Sequence, residues 1–265
     1  SSSAAAASTA KNILRPSVQK DSISNKLNPS VNFNELYSSV KSGKAATTKI
    51  EGGIAAGGGA IILYPDEHTG KIKAKAIEIY QITEGSAKSK FTLDTGPGQT
   101  LQEKIDYVLK RLSKASGLHA EMYGTWIQDI LTNPNEADDF SDVTLPRVED
   151  LGVVILPPGG IPVQVFIQQV PGELSLVTNG PSKRYLWNKK LFYSLDLDSQ
   201  VALLFHEVIY RDYREVNKDK ITSVAMNSQK VQYVTATILS KEIEKYFIDY
   251  KTKERYYFNE PEGNY

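Results

Sequence analysis

The stretch Ala202-Leu-Leu-Phe-His-Glu-Val-Ile-Tyr-Arg211 decides how the second half of this chain folds. Its apolar residues recur three and four positions apart, which predicts a helix with one buried face. Asp196 precedes it and predicts the N-cap, so we expect a helix from there to about Arg214. The predicted buried stripe consists of Val201, Leu204, Phe205 and Val208.

An adjacent His206-Glu207 pair lies inside this apolar helix, where the H-E-x-x-H motif of zinc hydrolases would begin. That motif needs a second imidazole four residues later, so that two ring nitrogens on one helix face hold one metal. The residue at that position is Tyr210, whose phenol has a pKa near ~10 and is a poor ligand at neutral pH. We therefore predict no metal site and no cofactor.

A structural role explains the same residues. His206 and Tyr210 share one helix face, and Glu207 and Arg211 share the next, each pair four residues apart. Glu before Arg is the favourable order for a helical ion pair. We expect that pair to bond the chain of residues 184–194 or the helix after Ser228.

Two enzymatic alternatives remain open, and the sequence does not decide whether the chain is an enzyme. In a divergent zinc-dependent hydrolase, His206 would be one ligand, Glu207 the general base, and His119 or a C-terminal carboxylate a distant ligand. In a metal-free hydrolase, the His206-Glu207 pair would activate Ser228 or Ser240 as the nucleophile.

Composition excludes several classes of protein. Lys and Arg number 31, as do Asp and Glu, so the formal net charge is zero. We expect no nucleic-acid partner, because such proteins usually carry a basic excess. Cysteine is absent, which excludes disulfides and thiolate sites. No apolar run approaches the ~18 residues that span a bilayer, so we expect a soluble protein.

The first residues, Ser1-Ser-Ser-Ala-Ala-Ala-Ala-Ser-Thr-Ala10, are small, as is typical just after a signal-peptidase site. They predict a periplasmic or extracellular protein whose signal peptide has been removed, although an engineered start would look the same. Residues 1–48 have too few large apolar side chains to build a core, which predicts a flexible N-terminal arm anchored at most through Val31–Tyr37.

The segment that follows the arm predicts a β-hairpin. Gly52–Gly59 resembles a flexible lead-in, because no Gly-Lys-Ser/Thr of a phosphate loop follows it. Residues 60–64 and 71–80 have strand character and flank a turn at residues 65–70. Further strands are expected at residues 152–156, 161–170 and 184–187.

Helices are predicted at residues 100–113 and 118–131, joined across Gly117, and from Ser228 to Lys245. His119 and Glu121 would be exposed in the first turn of the second helix. The expected fold class is α+β, with a small, mostly antiparallel sheet packed with helical hairpins. A single domain would cover residues 49–245, followed by a C-terminal tail at 246–265.

Several segments together resemble a group of uncharacterised exported proteins from bdellovibrio-type predatory bacteria. Those proteins combine a tryptophan segment, a Leu-His-Glu-x-Ile-Tyr-Arg helix and a Ser-x-x-Val-Arg helix. The matching segments here are 184–188, 200–211 and 228–233, and a weaker likeness covers residues 57–80. Gln232 stands where the group has arginine, and the cysteines expected near the hairpin and near Pro157 are missing. The resemblance implies export and a shared α+β domain, but no activity.

A binding or interaction protein is the leading functional prediction. The chain has 15 tyrosines, and tyrosine offers rigid amphipathic surface for recognition. The predicted binding residues are Tyr210, Arg211, Tyr233 and Trp187. The predicted partner is an unidentified protein or glycan.

Overall fold

The computed structural model describes residues 30–44, 59–142, 144–145, 155–173, 175, 180–217 and 228–243. The helices are α1 (Phe33–Lys41), α2 (Ile77–Thr83), α3 (Leu101–Ala115), α4 (Gly117–Thr132), α5 (Lys189–Tyr193), α6 (Leu197–Asn217) and α7 (Ser228–Ile238). The strands are β1 (Ala60–Pro65), β2 (Ile72–Ala76), β3 (Ala137–Asp139), β4 (Ile161–Gln164), β5 (Phe166–Gln168) and β6 (Tyr185–Trp187). The fold class is α+β, as predicted.

The strands form two small sheets. The first has the order β2-β1-β4, and β1 is antiparallel to both neighbours. The second has the order β3-β6-β5, in which β6 is antiparallel to β5 and parallel to β3. The strand predicted at 161–170 is therefore split into two short strands in different sheets.

Gly59 joins the two sheets at this split. The backbone N–H groups of Val165 and Phe166 both donate to the Gly59 carbonyl, at 3.0 Å each. Two consecutive amides that point at one oxygen cannot both belong to a regular ladder, in which they alternate sides. The chain therefore turns from the first sheet into the second at Val165.

The predicted hairpin is shorter than the sequence suggested. Its turn and first strand are present, but β2 ends at Ala76 and the next seven residues form α2. The Ala76 N–H donates to the Ser199 hydroxyl on α6 at 3.1 Å, which fixes the end of β2 against that helix. The alternating apolar pattern of residues 77–80 was misread as a continuing strand.

The helical hairpin α3–α4 is confirmed. Thr100 and Glu103 form a capping box at the start of α3, which satisfies two otherwise unpaired amides. Ser116 caps α4 by accepting from the His119 N–H. Gly117, predicted as a stop, is the first residue of α4.

The long helix α6 occupies the centre of the molecule. It packs against α2, α3, α4 and α7 and also against β2 and β5. Every residue of its predicted stripe is fully buried. Asp196 accepts from the Ser199 N–H at 2.7 Å, as an N-cap should.

Two segments at the edges of the predicted domain differ from expectation in extent. Residues 30–44, assigned to the arm, include α1, which touches the domain through Tyr37 Oη donating to the Gly159 carbonyl at 2.8 Å. Helix α7 ends at Ile238 instead of Lys245. Residues 1–29, the strand predicted at 152–154 and the tail at 246–265 lie outside the described residues. Among the helices described, none has the length and apolar character of a membrane span.

Candidate functional site

His206 faces a carboxylate that is distant in sequence. Its Nδ1 lies 2.6 Å from Oε1 of Glu78, and both side chains are almost completely buried. Glu78 is in the first turn of α2, where the helix dipole favours a negative group. The two helices α2 and α6 pack together, so the pair ties the centre of α6 to the end of the hairpin.

Glu207 points to the opposite side, toward the two sheets. One carboxylate oxygen accepts from the Gly59 N–H, and the other accepts from Nε2 of Gln168 at 2.8 Å. The same Nε2 donates to the Glu207 carbonyl at 2.6 Å. Glu207 therefore connects α6 to the junction of the sheets and to β5.

Burial raises the pKa of Glu207 to about 7, with a smaller rise from the charge of Glu78. The neighbouring His206 and the donors on Gly59 and Gln168 act in the other direction, because they favour the carboxylate. The geometry, with an N–H donor on each oxygen, fits the ionised form. Burial and hydrogen bonding thus oppose each other, which places the titration close to neutral pH.

The predicted ion pair between Glu207 and Arg211 is wrong. The Glu207 carboxylate is engaged by the sheets, and the Arg211 guanidinium lies 4.0 Å from the centre of the Trp126 ring. Tyr210 is buried, and its ring lies nearly parallel to that of His206 at a centroid distance of 6.1 Å. The Glu207 carboxylate bonds Gly59 and Gln168, whereas we expected its partners in residues 184–194 or in the helix after Ser228.

The structure does not bring the predicted binding residues together. Trp187 is buried in β6 and stacks on Phe166 at 5.3 Å. Tyr210 lies in the core, and Arg211 covers Trp126 on α4. Tyr233, on α7, is half-buried, meets Phe91 edge to face, and lines an open cleft.

This α2–α7 cleft, with about 50 Å³ of accessible space, lies between α2, the segment after it, and α7. Glu78 is the acidic residue of its wall, and Gln81, Ser86 and Gln232 add polar groups. The remaining wall is mainly apolar: Ile77, Phe91, Tyr233 and Ala236.

The second oxygen of Glu78, Oε2, is buried and has no hydrogen-bond partner among the residues the structure describes. Buried polar atoms are nearly always paired, and exceptions often mark functional sites. The cleft thus has an apolar wall and one unpaired carboxylate oxygen on a residue of that wall.

His119 is not exposed as predicted. Its Nδ1 lies 2.6 Å from the Ser116 hydroxyl, and its Nε2 lies 3.4 Å from Asp212 on α6. Tyr123 donates to the same Asp212 oxygen at 2.6 Å. This cluster fastens α4 to α6. It also engages both nitrogens of the imidazole that was considered as a distant zinc ligand.

Sequence reasoning missed Glu78, Gly59 and Gln168. Glu78 looked like one polar residue in an alternating strand, and Gly59 like the end of a flexible glycine run. Their partner residues are 128 and 148 positions away in the chain. The signal that could have drawn attention to them is the His-Glu pair itself, since two polar groups inside an apolar helix need partners.

No protein-family model, curated protein or solved structure matches the chain.

Proposed function

We propose that this chain is an exported binding protein whose ligand occupies the α2–α7 cleft. The observation that carries the proposal is Oε2 of Glu78, which is buried without a donor among the described residues. An unsatisfied buried acceptor costs ~1 to 3 kcal/mol. A ligand that brings a donor to this oxygen recovers that free energy on binding.

The wall of the cleft suggests the class of ligand. An O–H or N–H donor must reach Glu78 while an apolar surface covers Ile77, Phe91 and Tyr233. A sugar ring offers both, because its hydroxyl groups lie beside apolar C–H faces that pack on aromatic rings. A glycan is therefore the partner we propose, with Gln232 at the rim as a further hydrogen-bonding group.

In this proposal His206 and Glu207 are positioning residues. His206 holds one oxygen of Glu78 and leaves the other for the ligand. Glu207 holds α6 on the two sheets, so that α6 presents His206 in a fixed place. Export is supported by the resemblance to exported proteins, and the balanced charge favours a partner other than nucleic acid.

The zinc-hydrolase alternative gains no support from the geometry. Nδ1 of His206 is engaged by Glu78, and Glu207 faces Gly59 and Gln168. Within the described ranges, no three His, Asp or Glu side chains are grouped so that they could hold a metal ion. Elemental analysis of protein purified without chelator tests this alternative. One tightly bound zinc per chain would favour the hydrolase over the binding protein.

A glycan panel tests the binding proposal. The wild-type chain, Glu78→Gln and Glu121→Gln would be screened for binding and for ligand-induced thermal stabilisation. Glu78→Gln replaces an acceptor at the cleft with a donor, so we expect it to lose binding. Glu121 is exposed on α4, and its variant should bind like wild type. Absence of any wild-type binding, or equal binding by Glu78→Gln, would contradict the proposal.

A further inference from the structure

A second depression lies along the C-terminal half of α3 and shares no lining residue with the α2–α7 cleft. This basic groove, of about 440 Å³, is lined by Asp94, Tyr107, Lys110, Arg111, Lys114 and Lys241. Four of these six residues are cationic and one is acidic. In a chain whose formal net charge is zero, this is a local concentration of positive charge.

The floor of the groove is a fixed network. The buried Arg111 donates through Nη1 to the Asp94 carbonyl and through Nη2 to the Ser240 carbonyl. Its Nη1 also lies 3.1 Å from Oδ2 of Asp94, and the Tyr107 hydroxyl donates to that oxygen at 3.2 Å. Among the described lining residues, the only carboxylate is that of Asp94, and it is already paired within the floor.

The lysines at the rim differ from Arg111 in their exposure and in their lack of a carboxylate partner among the described residues. Lys110, Lys114 and Lys241 are exposed, and none pairs with a carboxylate within the described part of the chain. Other lysines do pair, at 2.5 to 2.8 Å: Lys73 with Asp66, Lys75 with Glu84, Lys104 with Asp198, and Lys183 with Asp138. Among the residues that the structure describes, no carboxylate therefore compensates the three charges around the groove.

We propose that the basic groove binds a compact multivalent anion of the phosphate class. Lys110 and Lys114 are four residues apart on α3, so their side chains project from one helix face, and Lys241 completes the rim. Lysine binds phosphate as a point charge, whereas a planar carboxylate is best matched by the fork of an arginine. The fork of Arg111 is already committed to two carbonyls, so the free charges favour phosphate.

The dimensions also favour a small ligand. A groove of this volume is in the range that small molecules occupy. Attraction between exposed charges is screened over a Debye length of ~8 Å at physiological salt, so binding should weaken steeply as salt is raised. The inference does not depend on the glycan proposal, because the two depressions share no lining residue.

Isothermal titration of the full chain with inorganic pyrophosphate at low salt tests the groove. Sulfate, succinate and a single-stranded thymidine oligonucleotide serve as comparison ligands. We expect pyrophosphate to bind more tightly than sulfate or succinate, and to bind less tightly as sodium chloride is added. Tighter binding of the oligonucleotide at equal phosphate concentration would overturn the assignment to a compact anion.

Lysine substitutions test whether pyrophosphate binds in the basic groove. Lys110→Gln/Lys114→Gln/Lys241→Gln should weaken pyrophosphate binding about tenfold or more, since each exposed charge contributes a modest share. Lys44→Gln/Lys71→Gln, two exposed positions outside the groove, should bind like wild type. Thermal melting checks that both variants are folded. If the triple variant is unfolded, the single variants Lys110→Gln and Lys241→Gln replace it. Unchanged affinity in the lysine variants, or no pyrophosphate binding by wild type, would refute the proposal.

Discussion

His206 and Glu78 meet at 2.6 Å inside the protein although 128 residues separate them in the chain. The contact gives a buried imidazole a buried carboxylate as partner. It also leaves Oε2 of Glu78 as the buried oxygen without a hydrogen-bond partner among the described residues.

The effects of substituting His206 and Glu78 on the free energy of unfolding should be strongly non-additive. His206→Leu leaves Glu78 buried without its partner, which should lower the free energy of unfolding by about 3 kcal/mol. The double variant His206→Leu/Glu78→Met removes both polar groups and should recover much of that loss. Urea unfolding of wild type, His206→Leu, Glu78→Met and the double variant gives the coupling free energy between the two side chains. Simple addition of the two single effects would show that the contact is not energetically coupled.

We expect the Glu207 side chain to stabilise the fold. At a pH above 7, where the carboxylate is ionised, Glu207→Ala leaves the Gly59 N–H and one N–H of the Gln168 amide unpaired. It should cost ~2 to 3 kcal/mol, since both hydrogen bonds go to a charged group. Glu207→Gln keeps the shape but turns an amide N–H₂ toward one of the donors, so it should cost less than alanine yet remain measurable. Glu215→Gln, at an exposed position of the same helix, is the matched control. If the denaturation midpoint of Glu207→Ala equals that of the control, the glutamate is kept for something other than the fold.

Glu207 should also make stability depend on pH. Its pKa is about 7 in the folded protein, against an ordinary value of 4.5. Between these values the folded state holds a proton that the unfolded state has lost, so the free energy of unfolding should fall as pH rises from 4.5 to 7. The upper limit is on the order of 3 kcal/mol, at 1.36 kcal/mol per pKa unit. The difference between wild type and Glu207→Gln, measured by urea unfolding at pH 4.5, 5.5, 6.5 and 7.5, isolates this group. A difference that is independent of pH would argue against a raised pKa.

Gly59 should not tolerate a side chain. A Cβ at this position would lie 2.8 Å from a methyl carbon of Leu203 and 3.0 Å from Oε1 of Glu207. Gly59→Ala should therefore lower the free energy of unfolding by ~1 to 3 kcal/mol, the usual cost of overpacking. Gly117→Ala, where a Cβ would meet nothing within 4 Å, is the control. Equal midpoints for the two variants would show that α6 moves aside at little cost.

The sequence predicted the parts of the fold that local signals specify. The apolar spacing of α3, α4 and α6 and the capping groups Thr100 and Asp196 are local, and the structure agrees with them. Helix α2 was missed because its seven residues are too few to separate a helical period from strand alternation. The partners of His206 and Glu207 were missed for a different reason. Glu78, Gly59 and Gln168 reach α6 only after both sheets have formed, and no short window of sequence contains that information.

The central position of α6 has a consequence for synthesis on the ribosome. Helices α2, α3 and α4 and strand β2 all pack against α6 but precede it in the chain. At ~5 to 20 residues per second, the apolar face of α4 is made on the order of ten seconds before α6 is complete. During that interval the nascent chain lacks α6, the helix that covers the apolar face of α4. Chaperones that hold exposed apolar segments should therefore engage this protein before residue 217 has emerged, and chains interrupted before α6 should aggregate.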